Sequence, residues 1–211
     1  MPRPWWDRYR PYADACRRLC WLNTDATHVC RVAILGKPFH APWAPAKVCF
    51  EHQVDFNYVE EQHLWEDARV DADGLHLAGM HYAVVLFEQE PDARARAALA
   101  PLEQSGGVLR YDPATPEREL IEGIDRRTAR DVRVTPPTPG LRVRHVVKDA
   151  RQWLIVFNEV RTPAEFTLEW AALGAGDALR VNPATSDRRP LPPDRRLSLA
   201  GHEITVIAME P

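Results

Sequence analysis

Between residues 135 and 140 the chain reads Thr-Pro-Pro-Thr-Pro-Gly, and the hydrophobic period changes across that stretch. Proline at this density continues neither a helix nor an interior strand, because each ring fixes φ and removes a backbone donor. The stretch therefore predicts a linker at 136–140. Before it, apolar runs over 28–35, 82–87 and 108–111 alternate with segments of helical spacing, the pattern of interior parallel strands joined by helices. After it, alternation takes over at 141–147, 152–157, 164–170, 178–181, 196–199 and 203–208, with Asn, Gly, Asp and Pro in the turns. That pattern predicts a small antiparallel β-sandwich. The expected organisation is an α/β domain over 1–135, with an N-terminal helix, and a sandwich domain over 141–211.

Within the first part, Trp5, Trp6, Tyr9, Tyr12, Cys16, Leu19 and Leu22 recur at three- and four-residue steps, opposite Arg8, Asp14, Arg17 and Arg18. This is the spacing of an amphipathic helix over 5–22. Pro38, Pro42 and Pro45 predict a loop, and Phe56, Val59, His63 and Leu64 a second helix over 55–66 with Asp55 as its N-cap. The dipeptide Asp73-Gly74 predicts a tight hairpin turn within 68–79. Helices are expected at 92–104 and 115–129, and a short strand at 131–134 continues the parallel sheet.

Composition excludes several classes of function. The chain of 211 residues carries 27 basic and 30 acidic side chains, a net charge of −3, whereas phosphate neutralisation needs clustered positive charge. Arg126-Arg127, Arg188-Arg189 and Arg195-Arg196 are short, lie among acids and read as solvated faces, so no nucleic-acid partner is expected. No apolar run approaches the ~20 residues that span a bilayer, and residues 1–7 lack the apolar centre of a signal peptide. The sequence as written thus predicts cytoplasmic residence without a membrane partner; a fragment of a larger exported protein would carry its address elsewhere. Cys16, Cys20, Cys30 and Cys49 form no Cys-x-x-Cys pair, and the histidines show neither His-x-His nor His-x-x-x-His spacing. Free thiols, no metal and no cofactor are expected.

Ligands of doubly wound sheets bind beyond the carboxyl ends of the strands, here Gly36-Lys37-Pro38, Glu88-Gln89-Glu90 and Asp112-Pro113. None is a glycine-rich phosphate loop. Glu88 and Glu90 supply two carboxyl groups near one strand end, the functional groups of glycosidic acid–base chemistry; the alternative is a pair that solvates a loop. Cys49, with His40 and His52 near it in sequence, superficially matches a thiol nucleophile, but its neighbours Val48 and Phe50 form no glycine elbow, and a buried thiol is the better reading. Of seven tryptophans, Trp43 and Trp65 sit where exposure would let an indole stack on a sugar ring. Trp43, Trp65, Glu88 and Glu90 are therefore the ligand-binding candidates, and no residue qualifies as catalytic.

The order Trp5-Trp6-Asp-Arg-Tyr-Arg-Pro-Tyr, then Val32-Ala-Ile-Leu35, then Asp55-Phe-Asn-Tyr-Val59 and Leu64, with the hairpin Gly74-Leu-His-Leu-Ala-Gly79, Tyr82 and Gly106-Gly107, resembles the region that follows the catalytic barrel in bacterial glycoside hydrolases of the α-L-rhamnosidase type. Arg144-His145, Trp153-Leu-Ile-Val-Phe-Asn158 and Asn182-Pro-Ala-Thr185 are similar to the β-sandwich after it. The resemblance implies a flavodoxin-like, class I glutamine-amidotransferase-like α/β domain, related to the assembly domain of some β-galactosidases. It implies no catalytic residue here, because the family's carboxylates belong to a barrel of about 250 residues. The expected role is a non-catalytic accessory or assembly module, with a carbohydrate, a glycosidase catalytic domain or a second copy of the chain as partner. Two alternatives are a carbohydrate-binding module using Trp43 or Trp65 and, more remotely, an amidotransferase-like hydrolase centred on Cys49.

Overall fold

In the computed structural model, which describes residues 6–174 and 177–210, the first element is helix α1 (Trp6–Asn23), followed by β1 (Thr27–His28). Trp5, expected to open that helix, lies outside the described residues. Next come β2 (Val32–Gly36), α2 (Trp43–Glu51), β3 (Phe56–Glu60), α3 (His63–Glu66), β4 (Arg69–Val70), β5 (Leu75–Leu77), β6 (Met80–Tyr82), β7 (Val84–Phe87), α4 (Ala93–Gln104), β8 (Val108–Arg110) and α5 (Glu117–Arg127). The chain continues through β9 (Val132–Thr135), β10 (Leu141–Lys148), β11 (Arg151–Asn158), β12 (Ala164–Trp170), β13 (Ala178–Val181), β14 (Arg188–Pro190), β15 (Arg196–Leu199) and β16 (Ile204–Met209). These elements form two compact units, one of Met1–Val29 with Val132–Pro211 and one of Cys30–Asp131.

The first unit is a sandwich of a six-stranded sheet, β1-β10-β11-β16-β13-β14, and a three-stranded sheet, β15-β12-β9. Strict alternation along β12 sends Ala164, Phe166, Leu168 and Trp170 inward and Glu165 and Glu169 outward. Facing them across the core are Leu141, Val143, Leu154, Val156 and Ile207. The opposite face of the six-stranded sheet is covered as well: Leu22 packs against Val146, Ile155 and Val206, with Leu19 and Trp153 beside them. Polar bonds fix this helix on the sheet, since Arg18 donates to the carbonyls of Pro183 (2.7 Å) and Ala184 (2.9 Å) and Lys148 to that of Thr24 (2.6 Å). The helix expected with the α/β part thus groups with the sandwich, and so does β9, whose residues pair antiparallel with β12 instead of continuing the parallel sheet.

The second unit holds a four-stranded parallel sheet in the order β3-β2-β7-β8. Every residue of β2 and β7 is buried, as strands covered on both faces must be. On one face Val32, Ile34, Phe56, Val84 and Leu86 meet α2 and α5; on the other Ala33, Leu35, Val85 and Phe87 meet Leu99 and Leu102 of α4 together with Leu75 and Tyr82 of the small antiparallel sheet β4-β5-β6. Local signals place the helices. Asp92 caps α4 by accepting from Ala95 N at 2.7 Å, and α5 carries Glu117 and Glu119 in its first turn and Arg126 and Arg127 in its last, matching the helix dipole.

The structure corrects the expected fold class. Among the described residues only three strand pairings are parallel, the remaining sheets are antiparallel, and β9, the strand expected to extend the parallel sheet, belongs to the sandwich. The chain is therefore not a flavodoxin-like or amidotransferase-like α/β fold; it is mostly antiparallel, with one small parallel sheet. Two local readings change with it. Residues 56–60 form a strand beside β2, so Asp55 caps no helix, and only the single turn of α3 remains of the helix over 55–66. The expected loop at 38–45 gives way to α2 from Trp43 onward, because Pro45 falls in the first turn, where a missing N–H leaves no bond unmade.

One buried side chain closes the sandwich. Asn158, fully buried at the end of β11, donates to the carbonyls of Thr162 (2.9 Å), Ala200 (3.0 Å) and Leu199 (3.3 Å) and accepts from Val160 N (3.3 Å). Asn158→Leu keeps the branched shape of the side chain but removes its donor from those carbonyls. It is expected to destabilise the protein by about 2–4 kcal/mol, read as a lowered urea midpoint with an unchanged slope.

Candidate functional site

The parallel sheet reverses its strand order between β2 and β7: the chain passes from β2 to β3 on one side and later returns to β7 on the other. At such a switch point the loops after the two strands diverge and leave a crevice beyond their carboxyl ends. Here those loops carry Lys37 and His40 after β2, Glu61 after β3, and Glu88, Gln89 and Glu90 after β7.

Backbone geometry makes the first loop compact. Lys37 and His40 exchange backbone hydrogen bonds at 3.1 and 2.9 Å, and Phe39 between them takes φ +63° with its ring fully exposed. Gly36 permits the close turn, since a Cβ there would lie 3.1 Å from the His40 carbonyl oxygen. Lys37 Nζ donates to the Glu90 carbonyl at 2.7 Å and stands 3.7 Å from the Glu61 carboxylate, which is buried. Gln89 Nε2 donates to His40 Nε2 at 3.1 Å, and Glu88 Oε2 lies 3.9 Å from the same ring nitrogen.

These contacts divide the sequence candidates. Glu88 faces His40, whereas the Glu90 carboxylate pairs with Arg96 at the start of α4, so the two carboxyl groups serve different partners. Trp43 opens α2 with 69% of its surface exposed. Trp65, by contrast, is half-buried against the core, and the Arg94 guanidinium sits 4.7 Å over its ring. Cys49 is fully buried in α2, and burial pushes its thiol up to about 12, with Asp55 adding to the rise and Arg130 opposing it. Such a thiol remains protonated near neutrality and supplies no thiolate. Its sequence neighbours have other partners, since His40 engages Gln89 and Glu88 and His52 lies 3.7 Å from Glu117. The strand-end rule pointed to the Lys37 and Glu88 loops. Glu61 escaped it because residues 55–66 mimic helical spacing, and only recognising Phe56-Asn-Tyr-Val59 as a β-prone run beside β2 would have exposed it.

No protein-family model matches the sequence, and no curated protein matches it either. Solved structures do share the fold. A rhamnosidase from Novosphingobium sp. PP1Y superposes with a TM-score of 0.69 over 97% of this chain and 25% of its own, at 16% identity. A β-galactosidase from Bacillus circulans sp. alkalophilus matches with a TM-score of 0.52 over 92% of this chain and 44% of its own, at 11% identity. A GH42 β-galactosidase from G. stearothermophilus gives 0.52 over 93% and 42%, at 10% identity. The chain thus has the fold of a portion of glycoside hydrolase chains and spans less than half the length of each.

Two outcomes are expected from this geometry. Lys37→Ala strands the buried Glu61 carboxylate and should cost about 1–3 kcal/mol in urea denaturation, a loss that Glu61→Gln in the same chain partly restores. Cys49 should react with iodoacetamide in the native protein no faster than in the unfolded chain; faster native labelling would show an activated thiol.

Proposed function

We propose that the chain acts as a non-catalytic accessory or assembly module related to glycoside hydrolases, working beside a catalytic domain that it does not itself contain. The supporting observation is the extent of the match: nearly all of this chain corresponds to a quarter of the rhamnosidase. The local chemistry agrees with that reading. Glycosidic cleavage needs two carboxyl groups free to face one bond, roughly 5–9.5 Å apart, while Glu88 and Glu90 are engaged by His40 and Arg96. The module's partner on this reading is a glycosidase catalytic domain, and assembly through a second copy of the chain is part of the same proposal.

A second reading, carbohydrate recognition, draws on Trp43, whose exposed indole at the start of α2 offers a face for sugar stacking. Trp43→Ala distinguishes the two, since it should abolish glycan-induced quenching of tryptophan fluorescence if sugars bind there and change nothing if the module only assembles. On the first reading, the purified chain should not hydrolyse aryl α-L-rhamnosides or aryl β-galactosides. Turnover that persists through purification and disappears in Glu88→Gln would overturn it.

A further inference from the structure

The hairpin of β5 and β6 turns on Ala78 and Gly79, both at positive φ (49° and 78°), a two-residue turn that fixes the register tightly. That register places His76 directly opposite His81, and their rings stack with centroids 4.7 Å apart and planes 13° from parallel. The β4–β5 turn brings Asp73 to the same spot. It is held by Asp71, whose Oδ1 accepts from the backbone N–H of Asp73 (2.9 Å) and Gly74 (3.1 Å). Gly74 is required beneath the rings, because a Cβ there would lie 2.5 Å from the backbone carbonyl oxygen of Tyr82.

The donor atoms of Asp73, His76 and His81 all lie within 4.8 Å of one another. His76 Nε2 is enclosed yet makes no hydrogen bond; the Asp71 carboxylate 3.4 Å away pairs with it only when the ring is protonated. A buried ring nitrogen without a hydrogen bond is costly, and a ligand satisfies it. We propose that Asp73, His76 and His81 form a binding site for one divalent transition-metal ion of the zinc type, with two imidazole nitrogens and one carboxylate oxygen as ligands. Two imidazoles and one carboxylate form a donor set suited to zinc, which takes such ligands at about 2.0–2.2 Å and leaves its fourth position to water. The sequence spacing predicted no metal because the ligands are five residues apart across a turn, and only the strand register joins them.

Arg31 tunes the site. Its Nη1 donates to His81 Nδ1 at 2.8 Å, which leaves the proton of a neutral ring on Nε2, 3.2 Å from the Asp73 carboxylate. To bind a metal through Nε2, His81 must carry its proton on Nδ1 instead, so the exposed Arg31 side chain must turn away, and the two imidazoles must rotate out of their stack so that both ring nitrogens face one ion. Arg31 is thus a positioning residue that weakens the site through tautomer and charge. The proposal is independent of the accessory-module reading.

The test is a titration of the full chain, free of purification tags, with Zn2+ alone, followed by the ring 15N resonances of His76 and His81 and by equilibrium dialysis. The expected result is saturation of both rings at one equivalent and an affinity at least ~100-fold weaker in His76→Gln, since loss of a direct ligand exceeds the 10–100-fold cost of losing an outer partner. Asp73→Asn, at an exposed position that folding does not need, should weaken binding in the same direction. Arg31→Gln, which removes a nearby positive charge and offers an acceptor to Nδ1–H, should tighten it about 5- to 10-fold. Ring nitrogens unmoved by equimolar Zn2+, or an affinity indifferent to both Asp73→Asn and His76→Gln, would overturn the assignment.

Discussion

The centre of the six-stranded sheet is covered on both faces at Val146, Ile155 and Val206, and the sandwich unit depends on that constraint. An antiparallel sheet can leave one face to water, but Val146, Ile155 and Val206 project away from the sandwich core and form a second apolar surface. Fully burying a side chain of this size contributes roughly 1.5–3 kcal/mol, so the cover that α1 supplies through Leu19 and Leu22 is a major part of the unit's stability. This explains why the unit is discontinuous in sequence. The helix must be present for the sheet to be stable, although more than a hundred residues of the other unit lie between them.

Much of this was legible in the residues, and the exceptions have physical causes. The clean alternation of β12 and the start and stop signals of α4 and α5 are local, and they are read correctly because nothing in the tertiary structure competes with them. In β11 and β16 alternation is masked by burial on both faces, which made Trp153-Leu-Ile-Val-Phe157 readable as a strand but gave no sign that α1, itself legible, covers it. The run over 28–35 looks like one strand, yet His28 pairs with Val146 while Val32 pairs with Phe56 and Val84, so a unit boundary falls inside an apolar run that carries no turn residue. Phe56, Val59 and His63 happen to recur at helical steps, and pairing with β2 overrides that coincidence.

The same division holds for the chemistry. That the loops after β2 and β7 part around one crevice follows from the strand order. Their state is set by neighbours that no spacing rule reveals: Arg96 takes Glu90, Gln89 takes His40 and Lys37 faces a buried Glu61. The edge is polar, and its charged groups pair with one another. The two histidines of the β5–β6 hairpin show the opposite case, side chains unremarkable in sequence that a two-residue turn forces face to face.

The interval between α1 and its sheet also shapes how the chain is made. During synthesis Leu19 and Leu22 emerge long before Val146, Ile155 and Val206, the residues they cover. At the usual ~5–20 residues per second, the helix waits on the order of ten seconds with its apolar stripe bare. Over that interval residues 30–131 emerge with local strand–helix–strand pairings of their own, whereas the sandwich closes only through contacts far apart in sequence, which form slowly. The nascent protein is therefore most vulnerable to aggregation, and most in need of a chaperone, while its first helix awaits its last strands.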